Sequence, residues 1–334
     1  MSEPGLISGY DALLADLDGV VYAGAHAIDG AVEALDALAP AGVRLAYVTN
    51  NASRSVAEVA DHVRSLGAPA TASQVFGSAL AGAELLATLV PPGAPVLVIG
   101  SATLAEAVSS QGLVPVASAR ENPAAVIQGF SPALGWTDLA EASYAVAAGA
   151  VWVATNTDLT IPQARGIAPG NGSLVAAVTA ATGKHPVVAG KPEAPLFLTA
   201  AAHLDARRAL VVGDRLDTDI LGGNRAHMDT ALVLTGVDSV QTALAAVTAE
   251  RPTYLLARLG ELHLPYPPVL SHTGTGDGGG HSSGGIRAIV RDGVVLVDGP
   301  ESSIDAWRAA CAAWWHARPD VDIAYLPKVR FAAL

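Results

Sequence analysis

The stretch ALLADLDGVV, residues 12–21, decides the fold of this chain. Its apolar half is typical of a buried strand, and the strand delivers two acids, Asp16 and Asp18, to a glycine that turns the backbone. Residues two apart on a strand share a face, so the two carboxylates are predicted to project together while Leu17 turns into the core. Because aspartate and glycine are also turn residues, this stretch alone equally fits a strand that ends in an ordinary turn.

Strands and helices alternate outward from this stretch. A helix is predicted at Asp29–Ala41, between strands at Leu13–Leu17 and Arg44–Thr49. Further strands are predicted at Val96–Ile99, Ala125–Gln128, Val151–Ala154, Ala209–Val212 and Ala231–Leu234, with helices between them. Such alternation predicts an α/β fold with a parallel sheet and right-handed crossovers.

The 334 residues are predicted to form more than one compact part. We expect a sheet core in two pieces, 1–91 and 188–268, interrupted by an inserted α/β module over 92–187. A Gly/Ser-rich linker, 269–285, is expected to lead to a small ββαβ extension, 286–334. Its hairpin should turn at Asp292-Gly293, followed by a helix at Ile304–Arg318 and a strand at Ile323–Leu326. An extension of this size buries little surface alone, so it should dock on the main body or on another subunit.

Charge and composition exclude some functions. The net charge of −12 argues against a surface that neutralises nucleic-acid phosphates. No apolar run approaches the roughly 18 to 20 residues that span a bilayer, so no membrane partner is expected. The first residues show neither a basic region nor an apolar one that would indicate a secretion signal. With a single cysteine, Cys311, a cytoplasmic location is expected.

Two motifs offer groups that bind phosphate oxygens. Thr49-Asn50-Asn51 ends the second predicted strand, where hydroxyl and amide groups before a helix can hold phosphate, although ordinary helix capping also explains it. Gly190-Lys191-Pro192 places a lysine at a bend. A surface lysine is the usual alternative, but the chain contains only three lysines.

A second acidic motif, Gly213-Asp214-Arg215-Leu216-Asp217-Thr218-Asp219, also follows a predicted strand. Helix capping explains Asp217 well and Asp214 poorly. Ligands of open parallel sheets bind beyond the carboxyl ends of the strands, where all four motifs fall. Asp16, Asp18 and Asp214 would repel one another there unless a hard cation joined them, and Mg²⁺ suits such ligands.

The order Asp-x-Asp-Gly-Val, Thr-Asn-Asn, Gly-Lys-Pro and Gly-Asp-Arg-x-x-Thr-Asp resembles the haloacid dehalogenase superfamily. The inserted module resembles the C2-type α/β cap of its NagD-like and para-nitrophenylphosphatase-like branch, as do residues 154–158 and 168–172. The resemblance covers about residues 10–262 and implies a Rossmann-like parallel sheet core. The extension is similar to that of the branch's glycerol-3-phosphate phosphatases and resembles a partial acetyltransferase fold.

The resemblance implies hydrolysis of a small phosphomonoester through an aspartyl-phosphate. Asp16 would be the nucleophile and Asp18 the general acid and base. The phosphate would be held by Thr49, Asn50, Asn51 and Lys191. Mg²⁺ would be held by Asp16, by Asp18 through its carbonyl and by Asp214, with Asp219 behind these ligands. Candidates for substrate selection in the cap are Asn156, Asp158, Gly170 and Asn171, although turns within the cap explain them equally well.

Glycerol 3-phosphate is the expected substrate by resemblance. Phosphoglycolate, pyridoxal phosphate and nucleoside monophosphates remain open, and a homodimer is expected because caps of this branch take part in dimer contacts. A dinucleotide-binding enzyme would need Gly-x-Gly-x-x-Gly after the first strand, where the chain has residues 16–19 instead. The complete set of catalytic groups argues against a non-enzymatic binding protein. Acyl transfer by the extension is disfavoured because the extension is too short for a complete acyl-coenzyme A site.

Overall fold

A computed structural model describes residues 3–50, 55–163, 165–272 and 280–332. The chain forms two compact units. The first comprises Met1–Leu45, Leu66–Pro69 and Leu204–Leu334, and the second comprises Ala46–Ser65 and Ala70–His203. The predicted cap, 92–187, lies within the second unit, and the predicted extension lies within the first. Among the described residues, no helix is long and apolar enough to cross a membrane.

The strands are β1 (Ala12–Ala15), β2 (Tyr22–Ala23), β3 (His26–Ala27), β4 (Arg44–Thr49), β5 (Val75–Gly77), β6 (Pro95–Ile99), β7 (Val114–Val116), β8 (Ala125–Gln128), β9 (Val151–Ala154), β10 (Thr160–Gln163), β11 (Gly166–Pro169), β12 (Val187–Val188), β13 (Ala209–Gly213), β14 (Asp229–Val233), β15 (Tyr254–Leu256), β16 (Leu270–His272), β17 (Gly280–Ser283), β18 (Ile286–Arg291), β19 (Val294–Asp298) and β20 (Lys328–Phe331).

The α-helices are α1 (Ala31–Asp36), α2 (Val56–Ser65), α3 (Ser78–Leu89), α4 (Ala102–Ser110), α5 (Trp136–Ala147), α6 (Asn171–Thr182), α7 (Pro195–His203), α8 (Leu221–Arg225), α9 (Val240–Ala245) and α10 (Ile304–Ala317). Short 3₁₀ helices span Leu6–Gly9, Ala72–Gln74, Ala119–Glu121, Thr248–Glu250 and Leu259–His263. A π-helical turn spans Leu216–Ile220, directly before α8.

Parallel strands carry the core of the first unit, in the order β15, β14, β13, β1. Every residue of β1 and β13 is buried. Strands buried on both faces are characteristic of parallel sheets, which explains why these segments are nearly continuous apolar runs. The predicted α/β class and parallel sheet are confirmed.

The extension packs on the same unit. Its sheet has the order β16, β17, β18, β19, β20, antiparallel except for the parallel pair of β19 and β20. One hydrophobic cluster joins Val295 of this sheet and Trp314 of α10 to Ile220 and Leu255 of the core. The extension therefore docks on the main body, one of the two sites expected for it.

A buried arginine of α10 ties the extension to the edge strand β15. Arg308 donates to the carbonyl of Leu255 from Nε at 2.9 Å and from Nη2 at 2.7 Å. It also pairs with Glu261 at 2.7 Å and with Asp305 at 2.8 Å. The amide of Leu255 donates to the hydroxyl of Tyr266 at 3.1 Å. Both backbone groups of Leu255 are thus bonded to side chains.

Two details of the extension differ from the predictions. The hairpin of β18 and β19 does turn at Asp292 and Gly293, which both have the positive φ of a tight two-residue turn. No strand forms at Ile323–Leu326, however, and the last strand is β20. Residues 323–326 are all exposed, whereas in β20 the exposed Lys328 and Arg330 alternate with the half-buried Val329 and Phe331, which pack on the core. The predicted linker contributes β16 and β17 at its ends, and its middle, 273–279, lies outside the described residues.

The second unit contains a five-stranded parallel sheet in the order β12, β9, β8, β6, β7. Helices α5 and α6 cover one face of it through a cluster that includes Val126, Trp152, Ala145 and Val178. Strands β10 and β11 form a separate antiparallel pair, and β4 pairs in parallel with β5. The carboxyl ends of β8 and β9 meet at one edge of the sheet, beside the start of α6.

Candidate active site

The residues that follow β1 form the first part of the site. The amide of Asp16 donates to the carbonyl of Val212 at 2.9 Å, so the ladder between β1 and β13 continues one residue beyond β1. Leu17 is buried and Asp18 is exposed. The amide of Val21 folds back on the carbonyl of Leu17 at 2.9 Å. A half-buried Asp16 and an exposed Asp18 therefore stand at the end of a rigid strand.

Glycine is required at position 19 for two reasons. Its φ is +78°, a conformation that residues with a side chain adopt at a cost, and a Cβ there would overlap the carboxylate of Asp214. A Cβ on Gly236 would overlap the same carboxylate. The hydroxyl of Thr235 donates to the carbonyl of Gly19 at 2.6 Å. The Asp214 side chain is therefore enclosed by backbone.

Asp16, Asp214 and Asp219 form an acidic cluster. Each offers one carboxylate oxygen, and these oxygens lie within 4.8 Å of one another. Asp214 and Asp219 are only 2% and 1% exposed. The amide of Val237 donates to Asp214 Oδ2 at 2.7 Å. Buried carboxylates this close repel one another unless a cation or protons intervene, and a set of oxygen ligands fits a hard divalent cation.

Asp219 belongs to this cluster through its local backbone. It lies on the π-helical turn, between the buried residues Leu216 and Ile220. The amide of Arg215 donates to Asp219 Oδ2 at 3.2 Å, and a Cβ on Gly213 would overlap the Asp219 side chain. The family resemblance implies a place for Asp219 behind the metal ligands, and in the structure its carboxylate lies within 4.8 Å of those of Asp16 and Asp214.

Thr235 and Gly236 were not among the predicted site residues. They follow β14, which is parallel to β13 and β1, so they fall at the same carboxyl edge as Asp214 and Asp16. The rule that ligands bind at that edge was the signal that could have identified them.

In the second unit, the end of β4 is tied to Lys191. The carboxamide of Asn50 accepts from the amide of Lys191 at 2.8 Å and donates to its carbonyl at 3.0 Å. The same Nδ2 donates to the two carboxylate oxygens of Asp158 at 3.2 and 3.1 Å. Thr49 is half-buried at the last position of β4, and Asn51 lies outside the described residues.

Lys191 is 4% exposed, so it is not a surface lysine. Its Nζ donates to the carbonyl of Val48 at 3.3 Å. The preceding Gly190 donates to the carbonyl of Thr155 at 2.7 Å, and a Cβ at this glycine would lie 2.6 Å from Asn50 Oδ1. The motif Gly-Lys-Pro therefore needs its glycine so that the backbone before Lys191 can approach Asn50.

The four cap candidates surround Asn50 or support the residues that do. Asn156 donates to the carbonyl of Asn50 at 3.0 Å and accepts from the amide of Asp158 at 3.2 Å. Asn171 donates to the carbonyl of Asn156 at 2.7 Å. A Cβ on Gly170 would overlap the carbonyl of Asp158. The structure thus brings these residues together with Asn50 and Lys191 in one polar cluster of the second unit.

Two family models match this chain. The haloacid dehalogenase-like hydrolase model covers residues 13–114, and a HAD-hydrolase-like model covers residues 188–262. With the relatives below, these matches show that the chain belongs to the haloacid dehalogenase-like hydrolases, as the order of its motifs predicts.

Individual proteins within this family are similar to the chain in sequence and in structure. The D-glycerol 3-phosphate phosphatase of Mycobacterium tuberculosis is 50% identical over 254 residues, which are 76% of this chain and 71% of that protein. The crystal structure of the glycerol phosphate phosphatase of the same organism in complex with magnesium has a TM-score of 0.88 and 42% identity, covering 99% of this chain and 96% of that one. A double mutant of the thermostable NPPase of Geobacillus stearothermophilus has a TM-score of 0.69 and 36% identity, covering 75% of this chain and 97% of that one.

Proposed function

We propose that this protein is a Mg²⁺-dependent phosphatase that hydrolyses a small phosphomonoester through an aspartyl-phosphate, with glycerol 3-phosphate as its substrate. The observation that carries the proposal is the acidic cluster of Asp16, Asp214 and Asp219, built at the carboxyl ends of parallel strands. Its support from comparison is the 50% identity to a D-glycerol 3-phosphate phosphatase and the likeness to a magnesium-bound structure.

The carboxylates of the cluster provide the metal site in this proposal. Asp16, Asp214 and the carbonyl of Asp18 would hold Mg²⁺, and Asp219, within 4.8 Å of the other two carboxylates, would join them or orient them. When bound, the cation neutralises charge on the phosphoryl oxygens. The enclosed position of Asp214, with no room for a Cβ at Gly19 or Gly236, suits a ligand that must not move.

Asp16 carries the covalent step. One of its carboxylate oxygens attacks phosphorus, the bond from phosphorus to the ester oxygen breaks, and Asp18 donates a proton to the departing alcohol. Asp18 then removes a proton from water, which attacks the aspartyl-phosphate and releases inorganic phosphate and free Asp16. The exposed position of Asp18 beside the half-buried nucleophile suits a group that exchanges protons with a leaving group and with water.

The polar cluster of the second unit supplies the phosphate-binding groups in this proposal. Lys191, Thr49, Asn51 and the backbone at Asn50 hold phosphoryl oxygens, and a lysine supplies the positive charge that a chain of net charge −12 lacks overall. Asp158 and Gly170 are candidates for contacts with the rest of the substrate. The family resemblance also predicts a homodimer, and the single cysteine suits a cytoplasmic location.

The direct test is phosphate release from glycerol 3-phosphate, phosphoglycolate, pyridoxal phosphate and nucleoside monophosphates, with and without Mg²⁺. We expect glycerol 3-phosphate to have the highest kcat/KM. Asp16→Asn should fold and lose about 10³-fold or more in kcat, which is about 4 kcal/mol of transition-state stabilisation. Asp217→Asn is the matched control, because Asp217 pairs with Arg215 at 2.9 Å in an exposed ion pair. Release from none of the esters, or an Asp16→Asn variant within tenfold of the parent, would contradict the proposal.

A further inference from the structure

Three asparagines form a continuous chain of hydrogen bonds that ends at the backbone of Lys191. Asn171 donates from Nδ2 to the carbonyl of Asn156 at 2.7 Å and to the carbonyl of Gln128 at 3.4 Å. Asn156 donates from Nδ2 to the carbonyl of Asn50 at 3.0 Å. Asn50 in turn bonds both the amide and the carbonyl of Lys191.

Burial separates Asn156 and Asn171 from residues that would contact a substrate. They are 4% and 1% exposed, and their amide donors are engaged by main-chain carbonyls. The carbonyl of Asn50 accepts a second bond from the hydroxyl of Ser78, at 2.8 Å, and Ser78 is itself fully buried. The carbonyl of Asn50 is therefore held from two directions by side chains.

The side-chain carboxamide of Asn171 is held by the hydrogen bonds that its Nδ2 donates to two backbone carbonyls. Asn171 is the first residue of α6, whose N-cap residue is Gly170, without a side-chain cap. Its buried Oδ1 has no hydrogen-bond partner in the part of the chain that the structure describes, and neither do the side-chain amide atoms of the adjacent Gln128. The hydrogen bonds of this side chain among the described residues are therefore the two that Nδ2 donates.

We infer that Asn156 and Asn171 are positioning residues for the phosphate-binding backbone at Asn50 and Lys191, and that they do not select the alcohol part of the substrate. This inference rests on the proposed function, which assigns Asn50 and Lys191 to the phosphate. Asn171 fixes the carbonyl end of Asn156, Asn156 fixes the carbonyl of Asn50, and the Asn50 side chain fixes the main chain of Lys191. In each of these hydrogen bonds a side chain donates to a backbone carbonyl or accepts from a backbone amide. The hydrogen-bond chain therefore orders the end of β4 against residues 190–191.

Two substrates with different leaving groups distinguish positioning from selection. Asn156→Asp keeps an acceptor for the amide of Asp158 and removes the donor to Asn50, and Asn171→Ala removes the donor to Asn156. In both variants we expect kcat/KM for glycerol 3-phosphate and for p-nitrophenyl phosphate to fall by the same factor, about tenfold. The inhibition constant of inorganic phosphate should rise by a similar factor. A change of more than about fivefold in the ratio of the two kcat/KM values, or unchanged kinetics with both esters, would overturn the inference.

Hydrogen exchange supplies a readout that does not depend on activity. The amide of Lys191 donates to Asn50 Oδ1, so its protection should fall at least tenfold in Asn156→Asp, while amides in β6 and β8 keep theirs. Asn156→Ser, which introduces no buried charge, is the second variant and should show the same local loss. Loss of protection throughout β6 and β8 in both variants would mean a purely structural role and would overturn the inference.

The control is Asn122→Asp, the same chemical change at an exposed turn of the second unit. It should leave the kinetics and the exchange of the Lys191 amide unchanged. If the parent protein releases phosphate from none of the esters, the proposed function is wrong. The exchange of the Lys191 amide would then still decide whether Asn156 orders this backbone.

Discussion

Replacing Arg308 should weaken the docking of the extension on the core. Its side chain is 6% exposed and donates twice to the carbonyl of Leu255. It pairs with Glu261 and Asp305, and its guanidinium lies 4.5 Å from the ring centre of Tyr266. Arg308→Met fills similar space and removes all of these interactions together.

The expected loss is about 3 kcal/mol in the free energy of unfolding of the first unit. A buried carbonyl left without its donor costs about 1–3 kcal/mol, which makes Leu255 the largest contribution. The side chains of Glu261 and Asp305 are 20% and 28% exposed, so water can solvate them after the substitution and each adds less than a buried partner would. The total lies at the lower end of the 3–5 kcal/mol typical of breaking a buried ion pair.

Urea unfolding followed by tryptophan fluorescence is the assay, because Trp307 and Trp314 lie on the same helix as Arg308. Arg318→Met is the control, since Arg318 is exposed and stacks on Trp314 at 5.3 Å, and it should cost less than about 1 kcal/mol. Arg308→Lys should not restore stability, because one ammonium cannot reproduce the fork of bonds to Leu255 and both acids. A loss below about 1 kcal/mol in Arg308→Met, equal to that of the control, would refute this reasoning.

Three further predictions concern separate sites. Gly19→Ala should lower stability by about 1–2 kcal/mol in urea unfolding and raise the Mg²⁺ concentration for half-maximal activity, because it strains a positive φ and displaces Asp214. Burial is the main cause, and neighbouring histidines the second, of a pKa of His281 that lies below 6.5 in the folded protein. The unfolded chain therefore binds a proton at this histidine before the folded protein does, so the free energy of unfolding should fall as the pH drops through 6.5. In His281→Asn this fall should be smaller when urea unfolding is measured across that pH range. Burial raises the pKa of Cys311 to about 12, so a thiol reagent at pH 8 should label it only after unfolding, and rapid labelling of the folded protein would contradict its burial.

Most of the parallel strands could be predicted from the sequence. Strands β4, β8 and β9 have the predicted bounds, because each is a short, largely apolar run that ends before a polar residue or a glycine. The same reasoning placed Asp16 and Asp214 at strand ends, where the structure brings their carboxylates together. Strand ends are set locally, so the residues that follow them are predictable.

Other parts of the site depend on packing between distant segments. Asp219 reaches the acidic cluster through a π-helical turn that fits against Gly213, and no local propensity encodes that turn. Asn156 and Asn171 read as ordinary turn residues, and their burial becomes visible only once α6 packs beside β8 and β9. The error at Ile323–Leu326 has a simpler cause, since the segment is apolar in composition but lacks the alternation of β20.

The bonds to Leu255 also decide whether this sheet can recruit a further strand. β15 is the last strand of its sheet, and edge strands with unpaired amides and carbonyls are templates for aggregation. Here the amide of Leu255 is bonded to Tyr266 and its carbonyl to Arg308, so the central residue of β15 has neither group available to an incoming chain. A protein that loses the docking of α10 therefore exposes a pairing edge as well as apolar surface, and its misfolded form should grow by β-strand addition at this position.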